Sequence, residues 1–329
     1  MTPRRRLLSL AFALAFAGAA WAGATWAGAA WAEPLALESE PIALHPGAAA
    51  VQSVGKLSWL GGVHVTSPDR RFGGYSGLEA IPGGRLAAVS DTGHWLVFRP
   101  ILDADGRLSG VGGGEIEPLK DERARTFAGK RLSDAEALRR DPAQGGFLVS
   151  FEREHRVLRY RTIGGPGIPI SVPDDFAGQP ANGGAEAMAV WPDGRVLLIS
   201  EQAANGEGDH KAWLLQGNTW HALGYAVGGE YLPVDAAALP DGDLLVLERR
   251  YGVLTPPGAR LVRVPGARVK PGGRLYGEAI AEWGAPLSVD NMEGLAVARG
   301  PGGAVLLWLI SDDNKSPVQR TLLMLFRLE

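Results

Sequence analysis

Apolar positions in this chain come in short, dense runs and never as a helical stripe. Leu86–Val89, Phe147–Val149, Val196–Ile199, Leu244–Leu247 and Val305–Ile310 are such runs. Pro and Gly interrupt nearly every window long enough for a helix. Runs of this length between turn residues read as strands buried on both faces.

Each run sits in a larger repeated unit: a small residue, an acid, a small residue and an apolar residue, then a turn, the apolar run and a second acid. The first copy is Ser76-Gly77-Leu78-Glu79-Ala80, the turn Pro82-Gly83-Gly84, and a run ending Ser90-Asp91. The second is Ser133-Asp134-Ala135-Glu136-Ala137, then Gly145-Gly146 and a run ending Ser150-Phe151-Glu152. The third is Gly184-Ala185-Glu186-Ala187, then Pro192-Asp193-Gly194 and a run ending Ser200-Glu201. The fourth is Val234-Asp235-Ala236, then Pro240-Asp241-Gly242 and a run ending Leu247-Glu248. The fifth is Asp290-Asn291-Met292-Glu293-Gly294-Leu295, then Gly302-Gly303 and a run ending Ser311-Asp312. First acids recur at intervals of 57, 50, 49 and 58 residues. That spacing is in the range of a propeller blade of four antiparallel strands, about 40–50 residues plus loops.

A third strand is predicted after each second acid, at Trp95–Arg99, Val157–Arg161, Ala212–Leu215, Leu261–Val264 and Leu322–Leu328. The last repeat then lacks a fourth strand. A strand near Leu57–Val65 would supply it and close the ring, which removes exposed sheet edges. The expected fold is an all-β, single-domain β-propeller over 57–329, of five blades. A sixth would require a degenerate blade within 100–132 or 255–285. Asp103-Ala104-Asp105-Gly106 reads as a hairpin turn.

Composition changes this picture in few places. Zero cysteines among 329 residues exclude disulfides, thiolate metal sites and cysteine nucleophiles. A net charge of −3 gives no reason to expect a nucleic-acid partner, which needs a basic face. There is no P-loop, HExxH or nucleophile elbow; in Gly74-Tyr75-Ser76-Gly77-Leu78, Leu78 takes the place of the last glycine. Residues 1–32 hold Arg4, Arg5 and Arg6, then an Ala/Gly-rich apolar stretch ending Ala30-Trp31-Ala32. That is the order of an export signal, and the adjacent arginines suggest the twin-arginine kind. An uncleaved membrane anchor is the rival reading of the same stretch. Residues 33–56 read as an N-terminal extension. The expected product is a periplasmic or secreted monomer with no membrane span once the signal is cleaved.

Inner strands of a propeller line its central channel. Strand-one starts and strand-two ends fall at one end of each hairpin, so two rings of acids should meet at one mouth. Glu79, Glu136, Glu186, Asp235 and Glu293 form the first; Asp91, Glu152, Glu201, Glu248 and Asp312 the second. Ten carboxylates together need protons, basic partners or cations. Oxygen donors without a cysteine or histidine cluster suit hard ions, Ca²⁺ before Mg²⁺. Bases follow the second acids: Arg153, Lys211, Arg249, Arg250 and Lys315, with His94, His155 and His210. A repeated acid at a strand start can equally serve the fold, by accepting N–H bonds from the neighbouring blade.

These motifs together resemble the phytase-like family, described as having the esterase-like activity of phytase. The pieces are Tyr75-Ser76-Gly77-Leu78-Glu79-Ala80 with Val89-Ser90-Asp91, Ser133-Asp134-Ala135-Glu136-Ala137, Asn182-Gly183-Gly184-Ala185-Glu186-Ala187, and Asp290-Asn291-Met292-Glu293-Gly294-Leu295 with Ser311-Asp312-Asp313-Asn314. The fourth repeat departs from the pattern, with Asp235 for Glu and Leu247 before Glu248. The resemblance implies an exported propeller that hydrolyses phosphoesters. On that reading Glu79, Asp91, Glu136, Glu186, Asp235 and Glu293 would hold Ca²⁺. Arg153, Lys211, Arg249 and Lys315 would bind a small phosphorylated or ester substrate. Glu152, Glu201, Asp312 and His155 would serve catalysis. The rival expectations are a calcium-dependent lactonase or esterase and a non-catalytic, calcium-stabilised binding propeller.

Overall fold

In the computed structural model, residues 33–252 and 255–329 are described. The export-signal reading of 1–32 lies outside the described residues. Five sheets stand around one axis, each starting at the channel with the strand predicted to do so. Blade I runs outward as Tyr75–Ile81, Arg85–Ser90, His94–Leu102 and Leu108–Pro118. Blade II is Ala135–Arg140, Phe147–Phe151, Arg156–Tyr160 and Gly167–Pro169. Blade III is Ala185–Val190, Val196–Ala204, His210–Gln216 and Thr219–Tyr225. Blade IV is Leu232–Ala238, Leu244–Arg250, Gly258–Val264 and Glu278–Gly284. Blade V is Asn291–Arg299, Val305–Asp312 and Thr321–Leu328, with Leu57–Thr66 as the fourth strand.

The ring therefore closes as expected, through antiparallel pairing of Leu57–Thr66 with Thr321–Leu328. Among the described residues there is no sixth blade. The stretch 100–132 holds the fourth strand of blade I, and 255–285 supplies the third and fourth strands of blade IV. Between those two, Arg274–Leu275 adds to the outer edge of blade III. The segment before Leu57 also carries strands. Glu33–Leu35 pairs with the outer strand of blade I, and Glu38–Ile42 with that of blade V. It straps blade I to blade V, the blade within which the ring closes.

Five apolar clusters fill the wedges, one per pair of neighbouring blades. This explains the dense second strands. Alternate residues of a strand face opposite sides, and both sides are covered. Leu307 and Leu309 pack toward blade IV, while Trp308 and Ile310 pack toward blade I. Near the axis the inner strands press together. A Cβ on Gly77 would lie 2.7 Å from the backbone N of Leu138, and one on Gly294 3.0 Å from Leu78 Cβ. Small residues beside the acids are thus a packing requirement.

Candidate functional site

The hairpin register decides which side chains reach the channel mouth. The N–H of Asp91 donates to Gly74 O, that of Glu152 to Asp134 O, and that of Glu201 to Gly184 O. Leu232 pairs with Arg249 and Asn291 with Asp312 at the same level. Asp91, Glu152, Glu201, Arg249 and Asp312 are therefore equivalent. Two residues beyond the inner partner, each inner strand carries Ser76, Glu136, Glu186, Val234 or Glu293. Pairing is irregular there in every blade. Bulges re-aim a side chain out of the sheet's alternation.

A cavity of about 280 Å³ opens at this end. Eight carboxylates line it: Asp91, Asp134, Glu136, Glu152, Glu186, Glu201, Glu293 and Asp312. Lys130, Arg153 and Arg249 line it too, so the acids exceed the bases by five. Lys130 bonds Asp91 at 2.6 Å, and Arg153 bonds Asp134. Arg249 bonds Glu201 at 2.9 Å, Asn291 at 2.7 Å, and Glu293. Arg153 holds a left-handed backbone, φ 60°, as do Asn314 at 48° and Lys315 at 53°. Such strain persists where the surroundings impose it, and clusters at functional sites.

Burial raises the proton affinity of these acids. Asp312 is pushed up to about 9 by burial and then by Glu293. Glu152 is pushed up to about 7 by burial and then by Asp134, against two backbone N–H donors. Glu136 lies well above the carboxylate range through burial and the acids around it. Glu186 is held similarly high by burial and Glu201, with Arg249 opposing.

Asp134, Glu136 and Glu152 each offer an oxygen within 4.8 Å of the other two. Asp134 Oδ1 is buried and accepts no hydrogen bond. Three buried carboxylates this close, one with an oxygen that accepts no hydrogen bond, are a donor set for a hard cation. These residues fit a metal ion.

Several expected members of the site lie elsewhere. Glu79 is three residues past Ser76, roughly 10 Å farther along the strand. It lines a separate cavity of about 480 Å³ with Arg139 and Arg140, and burial pushes it up to about 7 against the pull of Arg139. Asp235 is one residue past the bulge and fully buried. It receives Arg139 Nη2 at 2.6 Å and the N–H of Leu295 at 2.7 Å. Arg139 comes from blade II and also donates to Leu78 O of blade I and Ala236 O of blade IV. Blades II and IV are not neighbours, so this side chain crosses the channel and plugs it. None of the described residues lines both cavities. The first acids therefore do not form one ring of five.

Glu248 is not a member of the second ring. It pairs opposite Pro233 and its carboxylate is held by Tyr225 and Arg260. Arg249 takes the ring position. Lys211 bonds Asp175 at 2.9 Å, away from the mouth. Lys315 Nζ is tied to the carbonyls of Arg70 and Phe72. His155 packs edge-on to Phe176, bonds the carbonyl of Gln179, and does not line the mouth. Of the expected set, Asp91, Glu136, Glu152, Arg153, Glu186, Glu201, Arg249, Glu293 and Asp312 share the cavity. Asp134 and Lys130 join them without having been singled out. Asp134 stood in the quoted motif, two residues before Glu136, but a pattern of one acid per blade hid it.

Closed five-bladed ring, plugged channel and carboxylate-lined mouth together define a β-propeller with a metal-competent acidic end. The chain belongs to the phytase-like family: the model described as "esterase-like activity of phytase" matches residues 70–315. No curated protein matches. Among solved structures, the chain is similar to a luciferin-regenerating enzyme, at 11% identity over 87% of this chain and 95% of that one, with TM-score 0.40. It is similar to an endo-arabinase from Bacteroides thetaiotaomicron, at 11% identity over 77% and 93%, TM-score 0.45. A protein of unknown function from Dyadobacter fermentans aligns at 14% identity over 89% and 91%, TM-score 0.42. Among the described residues, no helix is long and apolar enough to cross a membrane.

Proposed function

We propose that the acidic mouth hydrolyses phosphoesters with a divalent cation, Ca²⁺ by its all-oxygen donor set, held by Asp134, Glu136 and Glu152. The observation that carries this reading is the buried triad, in which Asp134 Oδ1 accepts no hydrogen bond and has only the Lys130 ammonium near it, at 3.5 Å. A cation there would polarise a phosphoryl oxygen and acidify a water. Arg153, about one-third exposed, reaches phosphate oxygens and balances their charge. Asp312 keeps its proton at neutral pH and can give it to the leaving alkoxide, as a buried carboxylic acid does.

The test is turnover of phytate and of chromogenic phosphomonoesters and diesters, with Ca²⁺, Mg²⁺ or Mn²⁺ and with chelator. Turnover lost in chelator and in Asp134→Asn is expected. No metal-dependent turnover on any of them overturns the reading. Hydrolysis of carboxyl esters or lactones alone would point to a lactonase. A chelator-sensitive melting temperature without turnover would point to a binding propeller. Export is part of the same reading and rests on residues 1–32. The mature N-terminus should be Glu33; a chain retaining Met1 contradicts cleavage.

A further inference from the structure

Four of the five equivalent second-strand ends carry a carboxylate, and blade IV carries Arg249. We infer that Arg249 is a resident cation that closes the blade III–V side of the mouth to metal. The mouth then takes one divalent ion, on the Asp134 side. This rests on the metal reading above and deepens it.

The two sides of the mouth differ in how their charge is met. On one side, Arg249 bridges Glu201 at 2.9 Å, Glu186 at 4.0 Å, and Glu293, and also bonds Asn291. One planar fork from blade IV serves carboxylates of blades III and V, a geometry that guanidinium matches and a lysine would not. Its side chain is 18% exposed. A metal ion entering there would have to displace a largely buried guanidinium from the carboxylates it bridges, which is costly.

On the other side the bases are Lys130 and Arg153, with side chains 52% and 32% exposed. They reach water more readily than Arg249, and a cation arriving beside Asp134 would replace the charge they withdraw. Lys130 also ion-pairs with Asp134 Oδ1, loosely at 3.5 Å, and that oxygen accepts no hydrogen bond. That side is therefore open to a cation, and Glu186, Glu201 and Glu293 are closed.

The experiment is calcium stoichiometry by calorimetric titration, with elemental analysis after desalting, on the mature chain and on Arg249→Gln and Arg249→Glu. The native chain should saturate at one Ca²⁺. Each variant, melting cooperatively, should bind two. Adding Glu201→Gln to Arg249→Gln should remove the second equivalent and keep the first. A variant that folds and still binds one overturns the inference. So does a native chain that binds two, which keeps the claim refutable if neither variant folds. A native chain that binds none, with Arg249→Gln binding one, refutes the metal reading at Asp134 yet upholds Arg249 as the resident cation.

Discussion

Arg139→Met tests the channel plug. Arg139 is 4% exposed and its partner Asp235 fully buried. The guanidinium satisfies Asp235 Oδ1 and the carbonyls of Leu78, Leu138 and Ala236. Methionine fills most of the stem's volume but removes the charge. Asp235 then keeps only the N–H groups of Ala236 and Leu295, at 2.8 and 2.7 Å. Removing one partner of a buried pair costs about 3–5 kcal/mol, because the other charge is left uncompensated. In a domain of this size each kcal/mol moves the melting temperature by roughly 2–4 °C, so a drop on the order of 10 °C is expected. Asp235→Asn removes the complementary charge. In the double variant the loss should fall short of the sum of the singles by about 2 kcal/mol, a coupling usual for residues in direct contact. Urea denaturation of the four proteins closes the cycle. A single-variant loss below about 1 kcal/mol, or additivity within about 0.5 kcal/mol, would refute the plug.

Other expectations follow from the same geometry. Glu79, Glu152 and Asp312 have folded-state pKa values raised to about 7, 7 and 9, in each case chiefly by burial. An acid with a raised folded pKa takes up a proton on folding, so its stabilisation is complete below the unfolded value and lost as pH rises through the folded one. In chelator, the melting temperature should fall as pH rises from about 5 to about 9, and Ca²⁺ should restore more at the alkaline end, since metal and protons compete for the same oxygens. A melting temperature that climbs with pH in chelator contradicts this. Gly77→Ala should cost roughly 1–3 kcal/mol through overpacking, because its Cβ would meet the Leu138 backbone at 2.7 Å. Gly178→Ala, with open space around it, should stay within about 0.5 kcal/mol of native in the same melts.

The architecture was readable in the chain because propeller physics writes itself locally. Turn glycines, two-sided apolar runs and a last repeat short of one strand each have a single cheap solution. That shortfall is what points to a strand near Leu57–Val65, which the structure extends to Thr66. The site was less readable, because a residue's identity does not fix its register. Matching acid to acid in blade IV selected Glu248, yet backbone pairing puts Arg249 at the mouth, and a one-residue slip sends a side chain to the other face. The same letter-matching set Glu79 beside Glu136, although Ser76 holds that position in blade I. Arg139, Asp134 and Lys130 act across blades, and no spacing within one repeat announces them.

The central claim is that one mouth of the propeller holds a divalent cation between Asp134, Glu136 and Glu152. Anomalous diffraction from crystals grown with Ca²⁺ measures this directly. The account predicts one peak bounded by those three carboxylates, with oxygens at about 2.3–2.6 Å. A peak among Glu186, Glu201 and Glu293, or no peak at the mouth, would contradict it.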